Sequence, residues 1–236
     1  MDRPAAVAAL YDIHGNLAAL EAVLAEVERL GIERIVVGGD IVWGPEPVPT
    51  LERLMRLGSR ARFIRGNADR EVADGSAGPN ADPAVEVVTR WCHRQLNAGQ
   101  RAFLGALPER VSLDVPGWGP ILFCHGSPRR DDEAIHAWTR EEDLAPMVAA
   151  VREGVVVCGH THAPFDRDGA GKRIVNAGSV GLQYGAGASW ALVGPEIELR
   201  RTPYDVEAAA TRIRRSGVPD PEIFADHILD PPPMPT

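Results

Sequence analysis

Five times along this chain a short, mostly apolar run breaks off into a cluster of aspartate, histidine, asparagine and glycine. The clusters are Asp12-Ile13-His14, Gly39-Asp40, Gly66-Asn67-Ala68-Asp69, His125-Gly126 and Gly159-His160-Thr161-His162. The runs before them, residues 5–11, 34–37, 62–64, 121–124 and 155–158, read as buried strands. Ligands of α/β sheets bind beyond the carboxyl ends of the strands. Clusters scattered from Asp12 to His162 can therefore share one rim, provided the strands lie side by side.

The segments between the strands fit that arrangement. Leu17, Leu20, Leu24, Val27 and Leu30 recur at helical spacing, and Gly31 supplies a stop. A loop with Pro45, Pro47 and Pro49 precedes a helix near residues 51–57. The order is β-α-β-α-β, which implies a right-handed parallel unit. Residues 74–83 form a small polar loop, and helices are expected over 85–96, 100–107, 141–151, 206–215 and 221–229. Residues 111–115 and 121–124 form a hairpin turning at Pro116-Gly117, and 173–176, 190–193 and 197–201 add short strands. The expected class is α/β: two sheets face to face with helices outside, the first half parallel and the second mixed. One domain over residues 1–230 and a Pro-rich flexible tail over 231–236 are expected.

A net charge of -8 and a pI near 5.4 oppose stable nucleic-acid binding, and a phosphate substrate would need bound cations to draw it in. Lys172 is the single lysine, a bias that suits a GC-rich genome better than a phosphate site. The three cysteines, an odd number widely spaced, are not a disulfide framework; Cys124 and Cys158 sit in apolar runs as buried thiols. No apolar run approaches a membrane span, and the N-terminal one is too short for a signal peptide, so a cytoplasmic protein is expected.

Imidazole nitrogen mixed with carboxylate and amide oxygen suits Mn, Fe, Co, Ni or Zn ions, and it does not suit a structural zinc site rich in thiolates. Four of the seven histidines lie in the clusters. The Asp-x-His and His-x-His spacings put alternate side chains on one side of an extended segment.

These five blocks, in this order over about residues 5–180, resemble the calcineurin-like metallophosphoesterase superfamily. His125-Gly126-Ser127-Pro128 and Asn176-Ala177-Gly178-Ser179-Val180 are similar to its small bacterial and archaeal phosphodiesterase branch. The resemblance implies a four-layer sandwich, two mixed β-sheets flanked by α-helices. It implies two divalent metal ions, Mn the best single choice, with Fe, Zn, Ni, Co or Mg as alternatives. Asp12, His14 and His162 would hold the first ion, Asn67, His125 and His160 the second, and Asp40 would bridge them. A bridging hydroxide would attack phosphorus in line with the leaving oxygen. Asp40, Asn67 and Asp69 are expected in the catalytic machinery.

The chain departs from the family at Ala68, where many members carry a histidine that serves the leaving oxygen. A methyl cannot protonate anything, and a general acid contributes roughly 10²–10⁴-fold. Good leaving groups should suffer least, which weighs against efficient cleavage of monoesters with poor leaving groups; a phosphodiesterase is expected, with a phosphomonoesterase or a dinucleoside-polyphosphate hydrolase as the alternatives. Asp69 can orient a histidine of the site or cap a helix. Arg129 is the candidate to grip substrate phosphate, with a solvated loop as the rival reading because Asp131 and Asp132 are adjacent. Asn16 reads as a helix cap, Trp43 and Tyr184 as packing, and His93, His136 and His227 as ordinary residues. The expected partner is a small phosphoester, nucleotides included, with no membrane involved and the oligomeric state left open. Some relatives, such as the retromer subunit, keep the fold as a scaffold while their metal ligands degrade. Here all seven positions are filled.

Overall fold

A computed structural model describes residues 6–235 of the chain. Its strands are β1 (Val7–Leu10), β2 (Arg34–Val37), β3 (Ala61–Phe63), β4 (Arg110–Val115), β5 (Gly119–Cys124), β6 (Val155–Cys158), β7 (Phe165–Gly169), β8 (Lys172–Asn176), β9 (Ala188–Val193) and β10 (Ile197–Thr202). Its helices are α1 (Leu17–Arg29), α2 (Pro47–Met55), α3 (Asn67–Asp74), α4 (Pro83–Gln95), α5 (Ala98–Gly105), α6 (Glu141–Val148), α7 (Val206–Arg215) and α8 (Pro221–Leu229).

One sheet runs β10-β9-β1-β2-β3 and the other β4-β5-β6-β8-β7. In each, a parallel trio is flanked by antiparallel strands, so both are mixed. Period-two alternation sorts every central strand into two faces. Val7, Ala9, Val36, Phe123, Val155 and Val157 fill the space between the sheets. Ala8, Leu10, Ile35 and Val37 point outward against α1, α2, α4, α7 and α8. Leu122, Cys124, Val156 and Cys158 point outward on the other sheet against Leu144 and Val148 of α6. This is the four-layer α/β sandwich, and the two thiols sit buried in it.

Two local expectations need correction, and two elements were not expected. The helix expected from residue 51 starts at Pro47, because a proline at the first helical position has its φ preset and loses no needed hydrogen bond. The helix expected to reach residue 151 stops at Val148. Strand β7 and helix α3 lacked an apolar pattern: β7 carries Asp166, Arg167 and Asp168 at a sheet edge, and α3 is mostly polar. Asn16 caps α1 as expected, its Oδ1 accepting from the Ala19 amide at 3.1 Å. The carbonyl of Pro232 in the tail accepts from Gly185 N at 2.9 Å. No helix among the described residues is long and apolar enough to cross a membrane.

Candidate metal centre

The parallel strands β1, β2, β5 and β6 all end at one rim, and the polar clusters follow their last residues. The loops after β1 and β2 run as a pair: the amides of Asp12, His14 and Gly15 donate to the carbonyls of Gly39, Asp40 and Ile41 at 2.9–3.1 Å. This pairing demands unusual backbone. Among the described residues seven non-glycines have positive φ, and five of them are Asp12, His14, Asp40, His160 and His162. Such conformations cost about 1–3 kcal/mol each and persist only where the surroundings enforce them. Gly39, at φ 98°, has no room for a side chain: a Cβ there would lie 2.5 Å from Gly66 N and 2.8 Å from His125 Nδ1.

Two groups of ligand atoms result, Asp12 with His14 and His162, and Asp40 with His125 and His160, each within 4.8 Å. His162 Nε2 lies 3.0 Å from His14 Nε2 and 3.5 Å from Asp12 Oδ1. His125 Nε2 lies 3.4 Å from Asp40 Oδ1 and 3.8 Å from Asp12 Oδ1, and His14 Nε2 lies 3.7 Å from Asp40 Oδ2. The groups are therefore contiguous through the two carboxylates. Neighbouring ligands around an ion bound at about 2.1 Å sit roughly 3 Å apart, so these spacings fit cations. Asn67, the first residue of α3, belongs to the same place, since the next amide, that of Ala68, donates to Asp40 Oδ1 at 2.9 Å.

The tautomers are set from behind. Nδ1 of His14 faces Trp43 O at 3.0 Å, that of His125 faces Gly38 O at 2.9 Å, and that of His162 faces Leu182 O at 3.0 Å. Each carbonyl takes the Nδ1 proton, so that each ring, when neutral, offers its Nε2 lone pair to a cation. Asp12 Oδ2 accepts from the His160 amide at 2.9 Å, and its Oδ1 has no hydrogen-bond partner. Asp12 Oδ1, Asn67 Oδ1 and His125 Nε2 are buried without a hydrogen-bond partner. Buried polar atoms left unpaired in this way suit a bound cation, and the donor set fits divalent ions.

The charges agree. Burial alone would raise Asp12 and Asp40, but the adjacent imidazoles outweigh it and hold both carboxyls below their ordinary value. Burial would lower His125; Asp40 and Asp12 push it up to about 10 instead. His14 is drawn down to about 4 by burial and by His162. Asp12 and His125 are fully buried, whereas Asn67, His160 and His162 are partly open, so solvent reaches the centre from their side.

The Asn176–Val180 stretch serves as scaffold: Asn176 Nδ2 donates to Gly159 O at 2.7 Å and Ser179 Oγ to Asp12 O at 2.7 Å. Asp69 does not face the reacting space. Its Oδ1 accepts from Ile41 N at 2.8 Å and its Oδ2 from Gly66 N at 3.1 Å, so it staples the Asp40 loop to the start of α3 and is a positioning residue. Arg129 is paired with a carboxylate of its own turn. Its guanidinium holds both carboxylate oxygens of Glu133, at 2.7 and 2.6 Å, on an exposed turn. Two residues near Asn67 went unread. Glu71 Oε1 accepts from Asn67 Nδ2 at 3.5 Å, and Arg70 pairs with Asp131. Recognising α3, with Asp69 in its first turn and Gly75 at its end, would have placed both on the face of Asn67.

A calcineurin-like phosphoesterase superfamily domain model matches residues 6–195. The chain belongs to that superfamily. This superfamily member is 26% identical over 235 residues to the uncharacterized protein MJ0912 of Methanocaldococcus jannaschii, an alignment covering 91% of this chain and 94% of that one. It is similar to a crystal structure of a metallophosphoesterase from Sphaerobacter thermophilus (TM-score 0.75, 27% identity, 95% and 98% of the two chains). It shares the fold of the hypothetical protein PH1004 of Pyrococcus horikoshii OT3 (TM-score 0.82, 23% identity, 94% and 97% covered).

Proposed function

We propose that this calcineurin-like phosphoesterase is a two-cation phosphodiesterase acting on small phosphoesters, nucleotide diesters among them. The observation that carries the reading is the convergence of ligand atoms from five loops into two contiguous groups, with three of those atoms buried and unpaired. Asp12, His14 and His162 would hold one ion, Asn67, His125 and His160 the other, with Asp40 between them. Mn²⁺ is the expected activating ion, with Fe, Zn, Ni, Co and Mg as alternatives. When bound, such a pair supplies Lewis acidity that lowers the pKa of a water and neutralises phosphoryl oxygens.

The chain's own residues do the rest. The backbone carbonyls of Gly38, Trp43 and Leu182 hold three imidazoles in one tautomer, and Asp69 fixes Asp40 against Asn67. Ala68 is buried and offers no proton to a leaving oxygen. Esters whose leaving group departs as a stable anion are therefore favoured. The test is to load the metal-free protein with Mn²⁺ and compare bis(p-nitrophenyl) phosphate with p-nitrophenyl phosphate and an alkyl monoester. Faster turnover of the diester supports the reading, and the reverse ranking rejects it. Two bound ions without turnover on a broad phosphoester panel would make the protein a scaffold.

A further inference from the structure

Helix α3 presents Asn67 at its first turn and Arg70 three residues on, on the same face. Arg70 reaches across 61 positions of sequence to Asp131 and forms two parallel bonds, Nε to Oδ2 at 2.9 Å and Nη2 to Oδ1 at 3.0 Å. Asp131 is only 10% exposed, and Arg65 Nε also stands 3.9 Å from its Oδ2. A bidentate guanidinium–carboxylate pair fixes distance and orientation together, unlike a single contact. Asp131 is itself seated against the other element of interest. A Cβ at Gly126 would lie 2.7 Å from Asp131 O, 2.8 Å from Glu133 O and 2.9 Å from Arg130 O, so the turn rests on Gly126 as closely as a bare backbone allows. Gly126 is bonded to His125. A contiguous path thus runs Asn67, α3, Arg70, Asp131, Gly126, His125.

We infer that Arg70 and Asp131 are positioning residues that set the separation of Asn67 from His125, and so govern the cation held by those two residues while leaving its neighbour untouched. The inference rests on the two-cation reading and adds the element that makes its two halves separately adjustable. Asp12, His14 and His162 lie outside the path: their supports are Ser179, Trp43 and Leu182.

The experiment is calorimetric titration of Mn²⁺ into the metal-free full chain for the wild type, Arg70→Ala, Asp131→Asn and the swapped pair Arg70→Asp with Asp131→Arg. The expected result is at least about a tenfold loss of affinity for one of two ions in each single variant. The other ion should stay within about twofold, with partial recovery in the swapped pair. Equal weakening at both sites, or none at either, would overturn the inference. Amide hydrogen exchange on the metal-free protein gives a second reading that does not need the ions. The single variants should speed exchange over residues 66–70 and 125–131 and leave 12–16 unchanged; a uniform increase or no change would count against the clamp. A wild type that binds no ion would remove the function proposed above, and exchange would then decide the clamp alone.

Discussion

The two halves of the centre are built by different means. The half with Asp12, His14 and His162 is made by backbone strain: all three residues have positive φ, and two share one loop. The half with Asn67, His125 and His160 draws on three separate elements, and among its residues only His160 has positive φ. Its order comes from side chains that staple elements together, Asp69 across to Ile41 and Gly66, and Arg70 across to Asp131. Strained loops bury their cost in the fold and change little with one substitution elsewhere, whereas stapled elements depend on single bonds between side chains. The second half should therefore be the softer one.

The largest effect should come from Asp40, which lies within 4 Å of imidazoles from both halves. Asp40→Asn removes the shared charge, and turnover should fall by about 10³-fold or more, with both ions weakened in titration. If one ion alone is lost, Asp40 does not join the halves.

Next is Asp69→Ala, which removes both acceptors of the staple between the Asp40 loop and α3. Affinity for the ion at Asn67 should fall by about 10–100-fold, and leaving the two buried amides unpaired should cost roughly 1–3 kcal/mol of stability each. Calorimetry and thermal unfolding read the two separately.

A moderate effect concerns pH. Without a cation His125, at about 10, carries a proton at neutral pH, and only the neutral ring can ligate. Binding must displace that proton, so affinity should rise with pH by up to about tenfold per unit and level off near pH 10. His14, at about 4, is already neutral and adds no slope. Titrations in buffers of different ionisation enthalpy should show proton release that falls in His125→Gln and is retained in His14→Gln; Asp12 and Asp40 also raise His162, which adds to the release. Proton release unchanged in His125→Gln would refute the assignment.

The smallest effect is expected at Arg129. Its pairing with Glu133 is exposed, and Arg129→Ala should alter kcat/KM by less than about twofold. A large loss would show that the pair opens to take substrate.

The strands and the rim were legible because a buried strand in this sandwich is apolar on both faces and then breaks abruptly into polar ligands, as at Val155–Cys158 followed by Gly159-His160. Strand β7 was not, because an edge strand whose Asp166 pairs with Arg173 has no apolar pattern to read. At the site, residue types marked Asp12, His14, Asp40, Asn67, His125, His160 and His162, and the fold brings them together. The pairing of Arg129 was not legible, because proximity in sequence to His125 says nothing about which carboxylate claims a guanidinium. Arg70 was invisible for the complementary reason: its partner is remote in sequence and adjacent only once α3 lies beside the turn after His125.

The most direct test is anomalous diffraction from crystals of the Mn²⁺-loaded protein. Two peaks per chain are predicted, one among Asp12, His14 and His162, the other among Asn67, His125 and His160, with Asp40 reaching both. No peak at this rim, or ions bound elsewhere on the chain, would contradict the account.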